Sequence, residues 1–228
     1  MRVLELFSGT HSIGKVANSL GWEVISLDRD LNGECPFNSG YKSNIHIKED
    51  LLTWNYKEYP VGYFDLITAS PVCLWWSRLR YSWINRKCKT IHPTEIITKE
   101  ILDNDIERYG KPMVDKVFEI IEYFEPKHWW IENPATGKMR EYITDKPFYD
   151  VDYCKYSDWG YQKRTRFWTN IDNFEPKLCK KDCDNIVVID EDKNKKHKIV
   201  IGVGGATNRL QRYRIPKNLI EEFFLCIL

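Results

Sequence analysis

The chain has 228 residues, enough for one sizeable core and, at this length, one domain. Charged residues make up 29% and the formal net charge is +1, which excludes the global basic field of a nucleic-acid-coating protein and leaves only a local patch for any such contact. Seven cysteines without framework spacing, no secretory leader and no apolar stretch of membrane-spanning length lead us to expect a reduced intracellular protein, cytoplasmic or, in a virus of eukaryotes, nuclear.

Strand and helix alternate from the start. Arg2 to Leu6 is a short strand, FSGT is a turn, and Ile13, Val16, Ala17 and Leu20 recur at helical intervals over residues 12–20, with Ser12 or Thr10 as the cap. Trp22 to Leu27 is a second strand ending at Asp28, a weaker third lies near Ile45 and Ile47 and ends at Asp50, and Phe64 to Ala69 is a fourth whose continuous apolar run predicts burial on both faces. Residues 78–110 are polar and aromatic, RLRYSWINRKCKTIHPTE followed by a predicted helix, and too long for an ordinary connection, so we expect a lid or binding loop there. A helix is predicted over 113–124, then the strand HWWIEN, a helix near 136–143, and the strands DVDYCKY and RTRFWTN. The segment 171–202 is lysine-rich, with a predicted hairpin (IVVID, EDKNKK, HKIVI), and reads as a small insert; residues 1–170 and 203–228 form the main domain, closed by the helix LIEEFFLCIL. The pattern predicts an α/β fold with a mixed, mostly parallel sheet and helices on both faces, whose ligands sit at the carboxyl ends of the strands. Gly9, Asp28, Asp50 and Cys73 then share one edge.

Cys73 ends the run FDLITASPVC and precedes two tryptophans, Arg78 and Arg80. A free thiol is only about 3% thiolate near neutrality, so a working nucleophile needs cationic help, for which these arginines are candidates; read alone, Cys73 fits equally a small buried cysteine at a strand end. FSGTHSIG resembles a glycine-rich nucleotide loop, and Asp28 stands where one carboxylate can hold two vicinal ribose hydroxyls. Asp50 is placed to meet an adenine amino group. Glu132 leaves a strand opened by Trp129 and Trp130, and burial of that kind raises a carboxyl pKa. Gln162, Arg164 and Arg166 alternate as residues on one face of a strand do, and two neighbouring arginines need an anion between them, a phosphate, a carboxylate or a base oxygen, unless they form an exposed salt-bridged face.

Taken in order, FSGTHSIG, Asp28, Asp50, SPVCLWWS, ENP and QKRTR resemble the DNA cytosine-5 methyltransferase family, most closely its short phage and large-virus members. The resemblance implies a Rossmann-like S-adenosylmethionine-dependent fold and a double-stranded DNA substrate, with a cytosine flipped out of the helix. It implies that Cys73 attacks the base, that Glu132 engages its N3 edge, that Asn133 orients the loop, that Arg164 supports the thiolate and that Arg166 holds the base oxygen. For S-adenosylmethionine it implies Phe7 against the adenine, Ser8 and Gly9 at the methionine end, and Thr10, His11, Asp28, Arg29, Asp50, Leu51 and Pro71 completing the set. No membrane and no obligatory protein partner are expected.

Several positions depart from that pattern. Val72 replaces the usual proline before the nucleophile, His11 stands where many members have glycine, and RLQRYRIPKNLI is a divergent closing motif. The recognition region after QKRTR is short, so base reading is expected to move to residues 78–110. The same chemistry on RNA, or a catalytically silent binding protein, stays open at this point. Cys179, Cys183 and His197 offer three metal ligands at loose spacing, short of a tetrahedral set, and KLCKKDC reads equally as a basic loop touching phosphates; we expect no metal.

Overall fold

The computed structural model describes residues 1–30, 41, 43–88, 90–188, 195–200 and 209–228. Strands β1 (Arg2–Leu6), β2 (Glu23–Leu27), β3 (Ile45–Ile47) and β4 (Leu66–Ala69) are followed by a small hairpin, β5 (Lys87–Cys88) and β6 (His92–Ile96), and then by β7 (His128–Pro134), β8 (Phe148–Asp152) and β9 (Arg164–Thr169). The main sheet runs β3-β2-β1-β4-β7-β9-β8, with β1 to β4 and β7 parallel and β9 antiparallel to both its neighbours. This is the mixed, mostly parallel sheet the sequence predicts.

Register determines the site. Leu6 is level with Leu27 and Ala69, and Ala69 is level with Ile131, so the residues that follow them, Phe7, Asp28, Ser70 and Glu132, emerge along one edge. Alternation sends successive side chains to opposite faces. Leu4, Ile25, Ile67 and Ile131 pack on Val114, Val117 and Ile120 of helix α3 (Lys111–Phe124). Val3, Val24, Leu66 and Trp130 pack on α1 (Ser12–Ser19) and α6 (Lys217–Leu225). Trp130 lies 5.2 Å from the Phe223 ring, and truncating a buried Trp of this kind costs about 3–5 kcal/mol. No helix among the described residues is long and apolar enough to cross a membrane.

Some expectations need correction. The stretch 78–110 is not an open loop: it holds a 3-10 turn at Arg78–Trp83, the β5–β6 hairpin, α2 (Lys99–Asp105) and a π-helical turn at Ile106–Gly110 that runs straight into α3. Thr98 caps α2 by accepting the Ile101 N–H at 3.2 Å. A Cβ at Gly110 would meet the Trp76 ring at 3.0 Å, tighter than an ordinary contact, so this turn packs closely on that ring. Neither Ser12 nor Thr10 caps α1; the N-cap is His11, in the left-handed region at φ 52°. The predicted strand DVDYCKY stops at Asp152 and becomes a 3-10 turn over Tyr153–Lys155. Strands β10 (Ile186–Val188) and β11 (Lys195–His197) form a hairpin in the expected segment, but its second strand lies at 195–197, where the turn EDKNKK was predicted to end, and 198–200 of the predicted strand HKIVI are not strand; residues 189–194, and 201 and 202 at the insert's far end, lie outside the described residues. Helices α4 (Met139–Tyr142) and α5 (Arg209–Tyr213) complete the fold.

Candidate active site

The loop after β1 turns sharply: Phe7, Gly9 and His11 all have left-handed backbone, at φ 56°, 48° and 52°. The Gly9 N–H donates to Asp28 Oδ2 at 3.0 Å and the Asp30 N–H to Oδ1 at 2.9 Å, so the carboxylate at the end of β2 holds this turn. Asp50 accepts from the Leu52 N–H and from Arg29 Nη1, each within 3.1 Å. Ser8 is buried, and its hydroxyl has no protein partner among the described residues. Thr10 is buried, with Oγ1 2.9 Å from Ser12 Oγ, which in turn accepts the Ile215 N–H and ties the loop to the C-terminal segment.

Sequence reading missed Glu5. Its buried carboxylate accepts the Ile13 and Gly14 N–H groups through Oε1 and the Ser26 hydroxyl through Oε2, closing the N-terminus of α1 from below. A charged residue inside an otherwise apolar strand is the signal that finds it. His11 was expected at the cofactor, but its ring is fully buried with Nδ1 3.5 Å from Glu5 Oε2, so it supports the loop from within. Leu51 is likewise buried in the core, which leaves only its backbone for a ligand.

Cys73 lies beyond β4, half-buried, on a turn closed by the Trp76 N–H donating to its carbonyl at 3.2 Å. Asn133 at the end of β7 donates through Nδ2 to the Pro71 carbonyl at 2.8 Å and so fastens the nucleophile loop to the neighbouring strand. Glu132 is 6% exposed, and among the described residues its donors, the Tyr153 hydroxyl at 3.1 Å and Lys163 Nζ at 3.3 Å, converge on Oε1 and none reaches Oε2. Burial pushes the Cys73 thiol above its ordinary pKa; Lys163 and Arg212 pull it down, and Glu132 pushes it further up.

The arginines sit elsewhere. Arg78 pairs with Glu141, and buried Arg80 pairs with Asp105, which also accepts from His92 Nε2 at 2.9 Å, so neither is the cation beside Cys73. In β9 the register places Lys163, Thr165 and Phe167 on the Glu132 face and Arg164 and Arg166 on the other. There each arginine forks onto a cross-strand carboxylate, Arg164 onto Asp152 and Arg166 onto Asp150, at 2.7–3.1 Å. The expected roles of Arg164 at the thiolate and Arg166 at the base are therefore corrected. Lys163, the residue before them, occupies that position.

The ligand count around His197 is corrected as well, because the fold brings Cys154 beside Cys179, Cys183 and His197, with all four ligand atoms within 4.8 Å of one another.

No family model matches the chain. A curated protein of Frog virus 3 (isolate Goorha), described as a probable DNA (cytosine-5)-methyltransferase, is 41% identical over 235 residues, covering 99% of this chain and all of that one. Among solved structures, a SAM-dependent methyltransferase from Archaeoglobus fulgidus is 16% identical over 59% of this chain and 45% of its own, with a TM-score of 0.35. An antibiotic-related methyltransferase is 14% identical over 74% of this chain and 87% of its own, with a TM-score of 0.39.

Proposed function

The chain belongs to the DNA (cytosine-5)-methyltransferase family, whose members use S-adenosylmethionine, and from that premise we propose that it methylates C5 of cytosine in double-stranded DNA with Cys73 as the nucleophile. The observation that carries the assignment is the meeting of Cys73, Glu132 and Lys163 on the same sheet edge as the Phe7–Gly9 loop. The loop fits the cofactor: an unpartnered buried hydroxyl at Ser8 faces the methionine end, and Asp28 and Asp50 stand on successive strand ends for the ribose and the adenine. When bound, S-adenosylmethionine supplies an electrophilic methyl group.

The target base leaves the duplex at a cost of a few kcal/mol of pairing and stacking. Cys73 Sγ forms a bond to C6 while the ring's electrons shift toward N3, where Glu132 Oε2 holds the proton. C5 becomes nucleophilic and would take the methyl group from S-adenosylmethionine held by the Phe7–Gly9 loop and Asp28, the sulfonium leaving as the neutral thioether. Loss of the C5 proton to a base then restores the double bond as the C–S bond breaks and the thiolate leaves. One hard substitution is divided into two easier steps. Lys163 offsets the charge of the thiolate, and Tyr153 and Lys163 together hold Glu132 in place through Oε1. Asn133 keeps the loop carrying Cys73 against the strand carrying Glu132.

The test is covalent trapping on duplex DNA containing 5-fluorocytosine, with a matched RNA and a matched single strand beside it. We expect an adduct that survives denaturation on the duplex with wild-type protein and none with Cys73→Ala. Adduct formation only on RNA would reassign the substrate, and adduct formation by Cys73→Ala would remove the nucleophile.

A further inference from the structure

Four side chains converge on the far side of β9 from Glu132: Cys154 in the turn after β8, Cys179 and Cys183 in KLCKKDC, and His197 in β11. We propose that they bind one zinc ion, which fastens the 171–200 insert to the turn that begins at Tyr153.

Three distances define the group. Cys179 Sγ is 3.6 Å from Cys183 Sγ, and His197 Nε2 is 3.6 Å from Cys179 Sγ and 3.5 Å from Cys183 Sγ. Zinc bonds of about 2.3 Å to sulfur and about 2.0 Å to nitrogen at tetrahedral angles separate ligands by about 3.8 Å, sulfur to sulfur, and about 3.5 Å, sulfur to nitrogen. The spacings among Cys179, Cys183 and His197 match those, and Cys154 completes the set with all four ligand atoms within 4.8 Å of one another. A disulfide needs about 2.05 Å between sulfurs and has no use for a third thiol and an imidazole at the same point. Three thiols with one imidazole select zinc over calcium or magnesium, and four protein ligands close the shell as a structural site does. Binding converts each thiol to thiolate with release of its proton to solvent. Lys155, next to Cys154, pairs with Asp182 of the cysteine loop at 3.1 Å, and Lys180 and Lys181 stand between the two cysteines.

The surroundings are built to hold the ligands. The Cys179 N–H donates to buried Asp152 Oδ2 at 2.7 Å, tying the cysteine loop to the end of β8. Asn185 donates to the carbonyls of Cys154 and Ser157 at 3.0 and 2.7 Å and accepts the Gly160 N–H at 3.0 Å. Strands of three residues, as in β10 and β11, are too short to hold a hairpin in place by themselves, and a metal supplies what so small a sheet lacks. Cys154 directly follows Tyr153, whose hydroxyl bonds Glu132, so the metal anchors the residue next to one that positions the catalytic acid.

The experiment is elemental analysis of the purified full chain after dialysis, with timed alkylation of its thiols before and after chelation, read by peptide mass. We expect one zinc per chain, a cobalt-substituted form with the intense visible bands of tetrahedral thiolate coordination, and Cys183 protected until chelator is added, whereas Cys88, half-buried like Cys183 but outside the ligand group, reacts at the same rate throughout. Cys183→Ser and His197→Ala should lose the zinc, and Cys226→Ser should keep it. Zinc content at background, or Cys183 reacting equally fast with and without chelator in the wild-type chain, would overturn the site whether or not the variants fold.

Discussion

The two faces of β9 carry cations of different kinds. On one, Arg164 and Arg166 are each held by two bonds to a carboxylate fixed in the neighbouring strand, and Asp152 is held again by the Cys179 N–H. On the other, Lys163 makes single contacts, to Glu132 Oε1 at 3.3 Å and to the Arg212 carbonyl at 3.1 Å. A guanidinium in a bidentate fork is committed to its strand partner, whereas an ammonium on a flexible stem can turn to a third group. A shift of one residue exchanges the two faces, so in this strand the chemistry depends on which alternate set points at the acid.

The broadest test of that contrast is removal of the reacting atoms themselves. Cys73→Ala is expected to abolish methyl transfer from labelled cofactor while leaving the thermal midpoint near that of the wild type, because the side chain is half-buried and makes few core contacts. Glu132→Gln removes the proton-holding oxygen and is expected to slow transfer by about 10²–10⁴-fold, the usual scale for a positioned acid. Residual activity above a tenth of wild type in Glu132→Gln would place the acid elsewhere.

The faces themselves separate with a matched pair of variants. Lys163→Met removes the cation that lowers the Cys73 pKa, so the thiolate forms only at higher pH; we expect less activity near neutrality and an alkaline displacement of the pH–rate profile. Arg166→Met should leave that profile unmoved. It strands Asp150 without its fork and is expected to cost about 1–2 kcal/mol, seen as a thermal midpoint lower by roughly 2–8 °C. If Arg166→Met moves the profile and Lys163→Met does not, the assignment of faces is reversed.

How far the sequence discloses this arrangement depends on the element. Continuous apolar runs such as Phe64 to Ala69 and the polar residues ending them are legible because buried parallel strands write themselves that way, and Cys73, Glu132, Asn133 and the glycine loop follow from those ends. Lys163 is hidden because two arginines at alternate positions draw the eye to the wrong set. Cys154 is separated from Cys179 by most of β9 and its flanking turns, and only the tertiary fold closes that distance. The stretch 78–110 has the composition of a loop yet folds around the buried Arg80–Asp105 pair, a contact that no local pattern announces.

The smallest expected effect concerns the order in which thiols react, and it bears on why Cys73 needs Lys163 at all. Cys88 is brought down to about 7, chiefly by its hydrogen bond with Thr90 and further by backbone N–H groups of the β5–β6 hairpin. Burial holds Cys73 in the opposite direction. At neutral pH iodoacetamide should therefore modify Cys88 first, with Cys73 gaining reactivity only at more alkaline pH, because burial favours the protonated thiol until solution conditions or a neighbouring charge compensate. Peptide mass mapping of a timed alkylation series reads the order directly. Cys73 labelling ahead of Cys88 at neutral pH would mean that Lys163 and Arg212 already outweigh burial in the free protein. If binding of duplex DNA moved Cys73 forward in that order, the substrate would be completing an activation that the fold begins.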